Sequence, residues 1–265
     1  MIRLIATDVD KTLIREGTGY LNPEYYAVIR ALKKKGVFFI AASGRHMGSL
    51  SALFTPVADE IGMISSGGAV YSIFGEQHVV SALTCEEVLG IEEDVKKIPD
   101  AAFVADTPDS VLMHPGTEQL YRFLTEGYGN RVELTDGFFP SEKAYVKVAI
   151  YHPNRIEEAT REIVRKWSGQ VHLCFAGDVW LDGLSPQCNK GNALACIQER
   201  LGISVSETIA FGDNGSDLEM LSRAGISYAV AGARPEVKRA VTHVIGPWEE
   251  DSVLRELKTV LKKLS

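Results

Sequence analysis

The chain has 265 residues, 45% of them hydrophobic and 24% charged, an ordinary globular composition with enough length for a full core. Its formal net charge is −7 with no basic block, which excludes a general nucleic-acid binder, and no apolar run nears the roughly 20 residues that span a bilayer. Four cysteines, Cys85, Cys174, Cys188 and Cys196, form no CxxC pair and no zinc spacing. The chain also starts without a signal-like leader, so the pattern predicts reduced thiols in a cytoplasmic protein.

An apolar run over residues 2–6 predicts a buried strand that ends in Asp8-Val9-Asp10-Lys11-Thr12. Side chains alternate along extended chain, so Asp8 and Asp10 can share one face. Two carboxylates that close repel each other, and a divalent cation removes the conflict. A solvated Asp-rich turn is the plain alternative. Residues 13–21, with Gly17 and Gly19, predict a loop or small hairpin that could flap over a site. Asn22-Pro23 reads as the N-cap and first residue of a helix that runs through Leu32 and stops at Gly36.

Residues 37–42 are continuously apolar, as in a central parallel strand, and end in Ser43-Gly44-Arg45. A hydroxyl and a guanidinium there can both hydrogen-bond a phosphate, and the serine can equally cap the next helix, over residues 47–54. A third strand over residues 63–65 leads into the tight turn Ser66-Gly67-Gly68-Ala69.

From residue 82 the pattern changes. A helix over residues 86–98, strands over 111–113 and 144–151, an amphipathic helix over 153–167 and a hairpin around Gly177-Asp178 predict a separate α+β unit. The βα pattern resumes after Pro186. Asn189-Lys190-Gly191 opens a helix that stops at Gly202, and a lysine at a helix N-terminus is unfavourable unless an anion is present. The strand over residues 208–211 ends in Gly212-Asp213-Asn214-Gly215-Ser216-Asp217. Strands over 227–230 and 243–245 and a last helix over 252–264 complete the chain.

The predicted fold class is α/β: a doubly wound, Rossmann-like parallel sheet core from residues 1–81 and 186–265, with an inserted α+β cap over 82–185. Its strand ends converge on one crevice. They bring acidic groups able to hold Mg²⁺, and a hydroxyl and a lysine able to hold a phosphate.

These motifs carry a resemblance over nearly the whole chain. It resembles the haloacid dehalogenase-like phosphatases, in their Cof-like group with a type IIB cap. The DxDx[TV] motif matches Asp8-Val9-Asp10-Lys11-Thr12, and the Ser or Thr after strand two matches Ser43. The Lys opening a helix after the cap matches Lys190, and GDxxxD matches Gly212 through Asp217. The resemblance implies that Asp8 is the nucleophile, forming an aspartyl-phosphate, and that Asp10 is the acid/base. It implies Mg²⁺ held by Asp8, the Asp10 backbone carbonyl and Asp213, with Asp217 behind them. Thr12, Ser43, Gly44, Arg45, Lys190 and Asn214 are the implied phosphate- and substrate-binding set. The substrate class implied is a small phosphomonoester: a sugar phosphate, a phosphorylated cofactor or a nucleotide.

Two departures stand out. Gly67 replaces a common Asn, and Ser252 replaces a common Gly after Asp251. Asp10-Lys11-Thr12 also matches the DKTGT of ion-pumping ATPases, but Leu13 replaces the required Gly and there are no membrane helices. A phosphotransferase or phosphomutase, and a non-catalytic ligand-binding regulator, are the remaining alternatives. Lys147, Asp178 and Trp180 are candidate cap contacts, and the oligomeric state is not legible.

Overall fold

The apolar runs LIATD, FFIAA and TIAFG are buried along almost their whole length, because helices cover both faces of the sheet they form. The computed structural model describes residues 1–115, 118–137, 139–140, 142–176 and 178–264. In chain order the first elements are β1 (Leu4–Asp8), α1 (Glu24–Lys34), β2 (Phe38–Ala42), α2 (Met47–Leu53), β3 (Gly62–Ser65), β4 (Val70–Ile73) and β5 (Glu76–Val79). After the second unit come α7 (Lys190–Leu201), β12 (Thr208–Gly212), α8 (Leu218–Ser222), β13 (Ile226–Ala229), α9 (Pro235–Ala240), β14 (His243–Val244) and α10 (Ser252–Lys263). Together they build one sheet of order β14-β13-β12-β1-β2-β3-β4-β5.

The sheet is parallel from β14 to β3, as expected for a doubly wound core. It is not parallel throughout, because β4 and β5 add an antiparallel hairpin at the β3 edge. Phe74 and Gly75 turn that hairpin with φ of 54° and 79°, the two positive angles of a tight strand-to-strand turn. A phenylalanine is a poor advertisement for such a turn, so the sequence pattern hides it.

The second unit runs α3 (Cys85–Val95), β6 (Ala102–Asp106), β7 (Val111–Met113), α4 (Glu118–Arg122), β8 (Val132–Leu134), β9 (Lys147–Tyr151), α5 (Ile156–Ala159), α6 (Arg161–Trp167), β10 (His172–Ala176) and β11 (Trp180–Leu184). Its six strands form a separate sheet, β10-β11-β9-β6-β7-β8. Phe103, Val148, Ile150 and Leu181 on one face pack with Val88, Ile91, Ile163 and Trp167 of α3 and α6. That leaves the opposite face of β6, β9 and β11 turned towards the first sheet.

The helix expected over residues 153–167 is broken in two. Thr160 is fully buried, and its Oγ1 donates back to the Ile156 carbonyl at 2.6 Å, a bond that competes with helical continuation. Gly177 of the expected hairpin turn lies outside the described residues, while β10 and β11 on either side pair antiparallel. No helix among the described residues is long and apolar enough to cross a membrane.

Candidate active site

Strand β1 lies at the centre of the first sheet, between β2 and β12. The chain winds outward from it through β2 and β3 on one side and through β12, β13 and β14 on the other. Such a reversal opens a crevice at the carboxyl ends of the central strands. Asp8 is the last residue of β1, Asp213 follows β12, Ser43 follows β2, and Lys190 opens the helix leading into β12.

Lys190 is buried at the start of α7, where the helix N-terminus disfavours a cation. Its Nζ donates to Asp8 Oδ1 and Asp217 Oδ1, each at 2.6 Å. Burial pushes the ammonium pKa down, but the Asp217 and Asp8 carboxylates override it and hold it above its usual value. The other Asp217 oxygen, Oδ2, accepts from the backbone N–H groups of Asp213 and Asn214 at 3.0 Å. Asp217 is therefore fully engaged, tying the loop after β12 to Lys190.

Asp8, Asp213 and Asp217 each place one carboxylate oxygen within 4.8 Å of the others. Burial raises the Asp8 carboxyl well above the carboxylate range, and Asp217 adds to this against the opposing pull of Lys190. Asp213 is pushed up to about 7, again by burial first and Asp217 second. Asp8 Oδ2 is buried with no hydrogen-bond partner among the described residues. Three carboxylates against one ammonium, with an orphaned oxygen, make a donor set that fits a hard divalent cation.

Asp10 lines the same cavity as Asp8 and Asp213. Lys11 takes φ of 62°, and the chain folds back there so that the Lys11 N–H donates to the Ile14 carbonyl at 2.7 Å. Arg45 clamps the Asp10 carboxylate with two bonds, Nε to Oδ2 at 2.8 Å and a terminal nitrogen to Oδ1 at 2.6 Å. The Gly17 N–H, from the predicted flap, donates to the same Oδ1 at 3.2 Å. The Arg45 guanidinium also lies 4.8 Å from the ring centroid of Tyr128 in the second unit. Arg45, expected as a direct substrate contact, lines the same cavity while it holds Asp10.

Asp8, Asp10, Ser43, Gly44, Arg45, Lys190, Asp213 and Asn214 all line one cavity of about 270 Å³. Thr12 does not line it; it is fully buried, and its Oγ1 lacks a partner among the described residues. Ser43 is buried, and its Oγ accepts from the Arg45 N–H at 3.1 Å. Asn214 caps the turn after β12, its Oδ1 accepting from the Gly215 N–H at 2.7 Å. Lys147 and Trp180 line the cavity, while Asp178 stands outside it.

Among the lining residues that sequence reasoning missed are His46, Asp106, Tyr128 and Asp182. His46 Nδ1 accepts from the Gly48 N–H at 3.2 Å, so Nε2 is the protonated nitrogen, donating to the Thr107 carbonyl of the second unit at 2.9 Å. A signal for Asp182 was present, since it alternates with Trp180 and Leu184 in an otherwise apolar strand.

A family model for haloacid dehalogenase-like hydrolases matches residues 5–257. One relative is the 5-amino-6-(5-phospho-D-ribitylamino)uracil phosphatase YbjI of Escherichia coli K12, 27% identical, covering 98% of this chain and 97% of that protein. Another is the HMP-PP phosphatase of Cronobacter sakazakii, 26% identical, with 97% and 95% covered. A solved structure from Eubacterium rectale is 33% identical with a TM-score of 0.87, covering 98% of this chain and 99% of that one. The subclass IIB sugar phosphatase BT4131 shares the fold, with a TM-score of 0.83 at 23% identity over 97% and 98% of the two chains. With the family model spanning nearly its full length, and its four motifs gathered at one crevice, the chain belongs to the haloacid dehalogenase-like hydrolases.

Proposed function

We propose that the protein is a Mg²⁺-dependent phosphomonoesterase that acts on a small phosphorylated metabolite through an aspartyl-phosphate. The observation that carries this reading is the orphaned, buried Asp8 Oδ2, beside Lys190 and within a three-aspartate cluster. The phosphatase names of the relatives support it.

In this reading an Asp8 carboxylate oxygen attacks phosphorus in line. A bond forms from that oxygen to phosphorus, and the bond from phosphorus to the ester oxygen breaks. Asp10 gives its proton to the departing oxygen. It then takes a proton from water, whose oxygen attacks the phosphorus of the aspartyl-phosphate and releases inorganic phosphate and Asp8. Arg45 and the Gly17 N–H hold Asp10 in place for the second step. Donation in the first step requires one Asp10 oxygen to exchange its Arg45 contact for the leaving oxygen. Lys190 and Ser43 stabilise negative charge on the transferring phosphoryl oxygens. Asp8, Asp213 and the Asp10 backbone carbonyl would hold Mg²⁺, which supplies further positive charge at those oxygens. Asp217 positions Lys190 and the Asp213 backbone.

The residues 82–185 act as a cap in this reading, closing over the leaving group and excluding water. The four cysteines, all unpaired, suit a reducing compartment. The test is hydrolysis of p-nitrophenyl phosphate with Mg²⁺. Phosphate release that EDTA abolishes and Mg²⁺ restores is the expected result. Absence of hydrolysis across many phosphoesters would leave a binding role as the better account.

A further inference from the structure

The face of the second sheet that points at the crevice is not uniformly apolar. Trp180, Asp182 and Leu184 alternate along β11 and all line the cavity. The register sets Asp182 opposite Ala149 and Asp106 opposite Lys147, so two carboxylates and one ammonium sit together in the middle of that face. Lys147 Nζ lies 3.5 Å from Asp106 Oδ2 and 3.6 Å from Asp182 Oδ2, and donates to the Gly44 carbonyl at 3.0 Å. Through Gly44, beside Ser43, the cluster reaches the proposed phosphate-binding end of the cavity.

The two carboxylates are not equivalent. Asp106 Oδ2 also accepts from the Ser66 hydroxyl at 3.0 Å, which joins it to the first unit. Asp182 has only the long contact to Lys147 among the described residues. Its side chain is 13% exposed, and that exposure is to the cavity it lines. Burial raises the Asp182 carboxyl, against the pull of Lys147. The cluster carries one more acid than base, and Asp182 Oδ1 has no donor among the described residues. A carboxylate oxygen that faces a cavity in this way is open to a ligand that brings the donor with it.

The surrounding walls select the shape of that ligand. Val104, Val111, Leu124 and Ala149 supply apolar surface, and Tyr128 and Trp180 supply flat aromatic surface. A sugar that set its hydroxyls against those apolar residues would leave them without partners there, which is penalised. A flat ring would lie against them and need only its edge groups satisfied. An additional anionic group on the leaving group would meet the excess negative charge of the cluster.

We infer that Asp182, steadied by Lys147 and Asp106, is a specificity residue that selects leaving groups built on a flat ring with an exocyclic N–H donor. This rests on the phosphatase reading and narrows it to phosphorylated amino-substituted rings.

The test compares 3-aminobenzyl phosphate, its isostere 3-methylbenzyl phosphate and glucose 6-phosphate on the Mg²⁺-loaded protein. The amino ester should exceed both others at least tenfold in kcat/KM. In Asp182→Asn the amide oxygen turns to Lys147 and its NH₂ faces the cavity, so the amino-to-methyl ratio should fall to about one or below. Equal rates for the amino and methyl esters, preference for glucose 6-phosphate, or an unchanged ratio in Asp182→Asn would each overturn the inference. If p-nitrophenyl phosphate is hydrolysed and no amino preference exists, this inference alone fails. If none of the four esters is hydrolysed, the phosphatase reading fails with it.

Discussion

Replacing Lys190 with Met removes the one ammonium that holds Asp8 and Asp217 together while keeping most of the side-chain volume. Both bonds are 2.6 Å and buried. Removing one partner of a buried ion pair typically costs about 3–5 kcal/mol, because the remaining charge stays in a low-dielectric site. The variant's escape is to bind a proton. Placing a proton on an ordinary carboxylate costs about 6 kcal/mol at pH 8 but only about 1.5 kcal/mol at pH 5, at about 1.4 kcal/mol per pH unit. The loss should therefore approach its full size at pH 8 and shrink strongly by pH 5. The sign follows from the direction of the shifts. Asp8 and Asp213 have folded pKa values above their ordinary 3.8, so their stabilising protonated forms are lost as pH rises, through about 7 for Asp213. Urea unfolding of Lys190→Met and wild type, without metal, at pH 5 and pH 8 measures this. A difference below about 1 kcal/mol at pH 8, or an equal difference at both values, would refute the account of the cluster. Added Mg²⁺ should recover part of the loss, since it restores positive charge to the same oxygens.

Three further outcomes are expected. Gly68 sits at φ of 103°, and a Cβ there would run into the Asn189 carbonyl and lie 2.6 Å from the Lys190 backbone nitrogen; Gly68→Ala should lose at least about 2 kcal/mol in urea unfolding and lower kcat by displacing Lys190. Gly67, at φ of 67°, lines the cavity with Leu184 3.3 Å from where its Cβ would be; Gly67→Asn should fold within about 1 kcal/mol of wild type, since Asn tolerates that backbone, yet lose kcat/KM for aryl phosphates relative to ethyl phosphate. Mg²⁺ should displace a proton from the cluster near neutral pH, so calorimetry in two buffers of different ionisation heat should show proton release below about pH 7, with affinity falling as pH drops.

The parts of this protein that a sequence shows well are those dictated by local pattern. The central strands are continuous apolar runs, and Asp8, Ser43 and Asp213 sit at or just beyond their ends, so both fold class and acidic cluster were legible. Gly202 ends α7 in the left-handed conformation that its position implied. The β4–β5 hairpin was hidden because its turn uses Phe74 and its edge strand is polar. The break at Thr160 depends on a side-chain bond within a burial context that periodicity does not reveal. At the site, the clamp of Arg45 on Asp10 was not legible, since it joins loops 35 residues apart with geometry set by neither. Asp106 lies in a strand that the pattern did not show, and only the register of β6, β9 and β11 brings it and Asp182 beside Lys147.

The central claim is that Asp8 carries the phosphoryl group. Rapid acid quench during turnover, followed by peptide mass spectrometry, tests it directly. One phosphoryl group should be found on the peptide containing Asp8, borohydride should convert that residue to homoserine, and Asp8→Asn should show neither product nor turnover. A phosphoryl group on any other residue, or near-normal turnover by Asp8→Asn, would contradict the account.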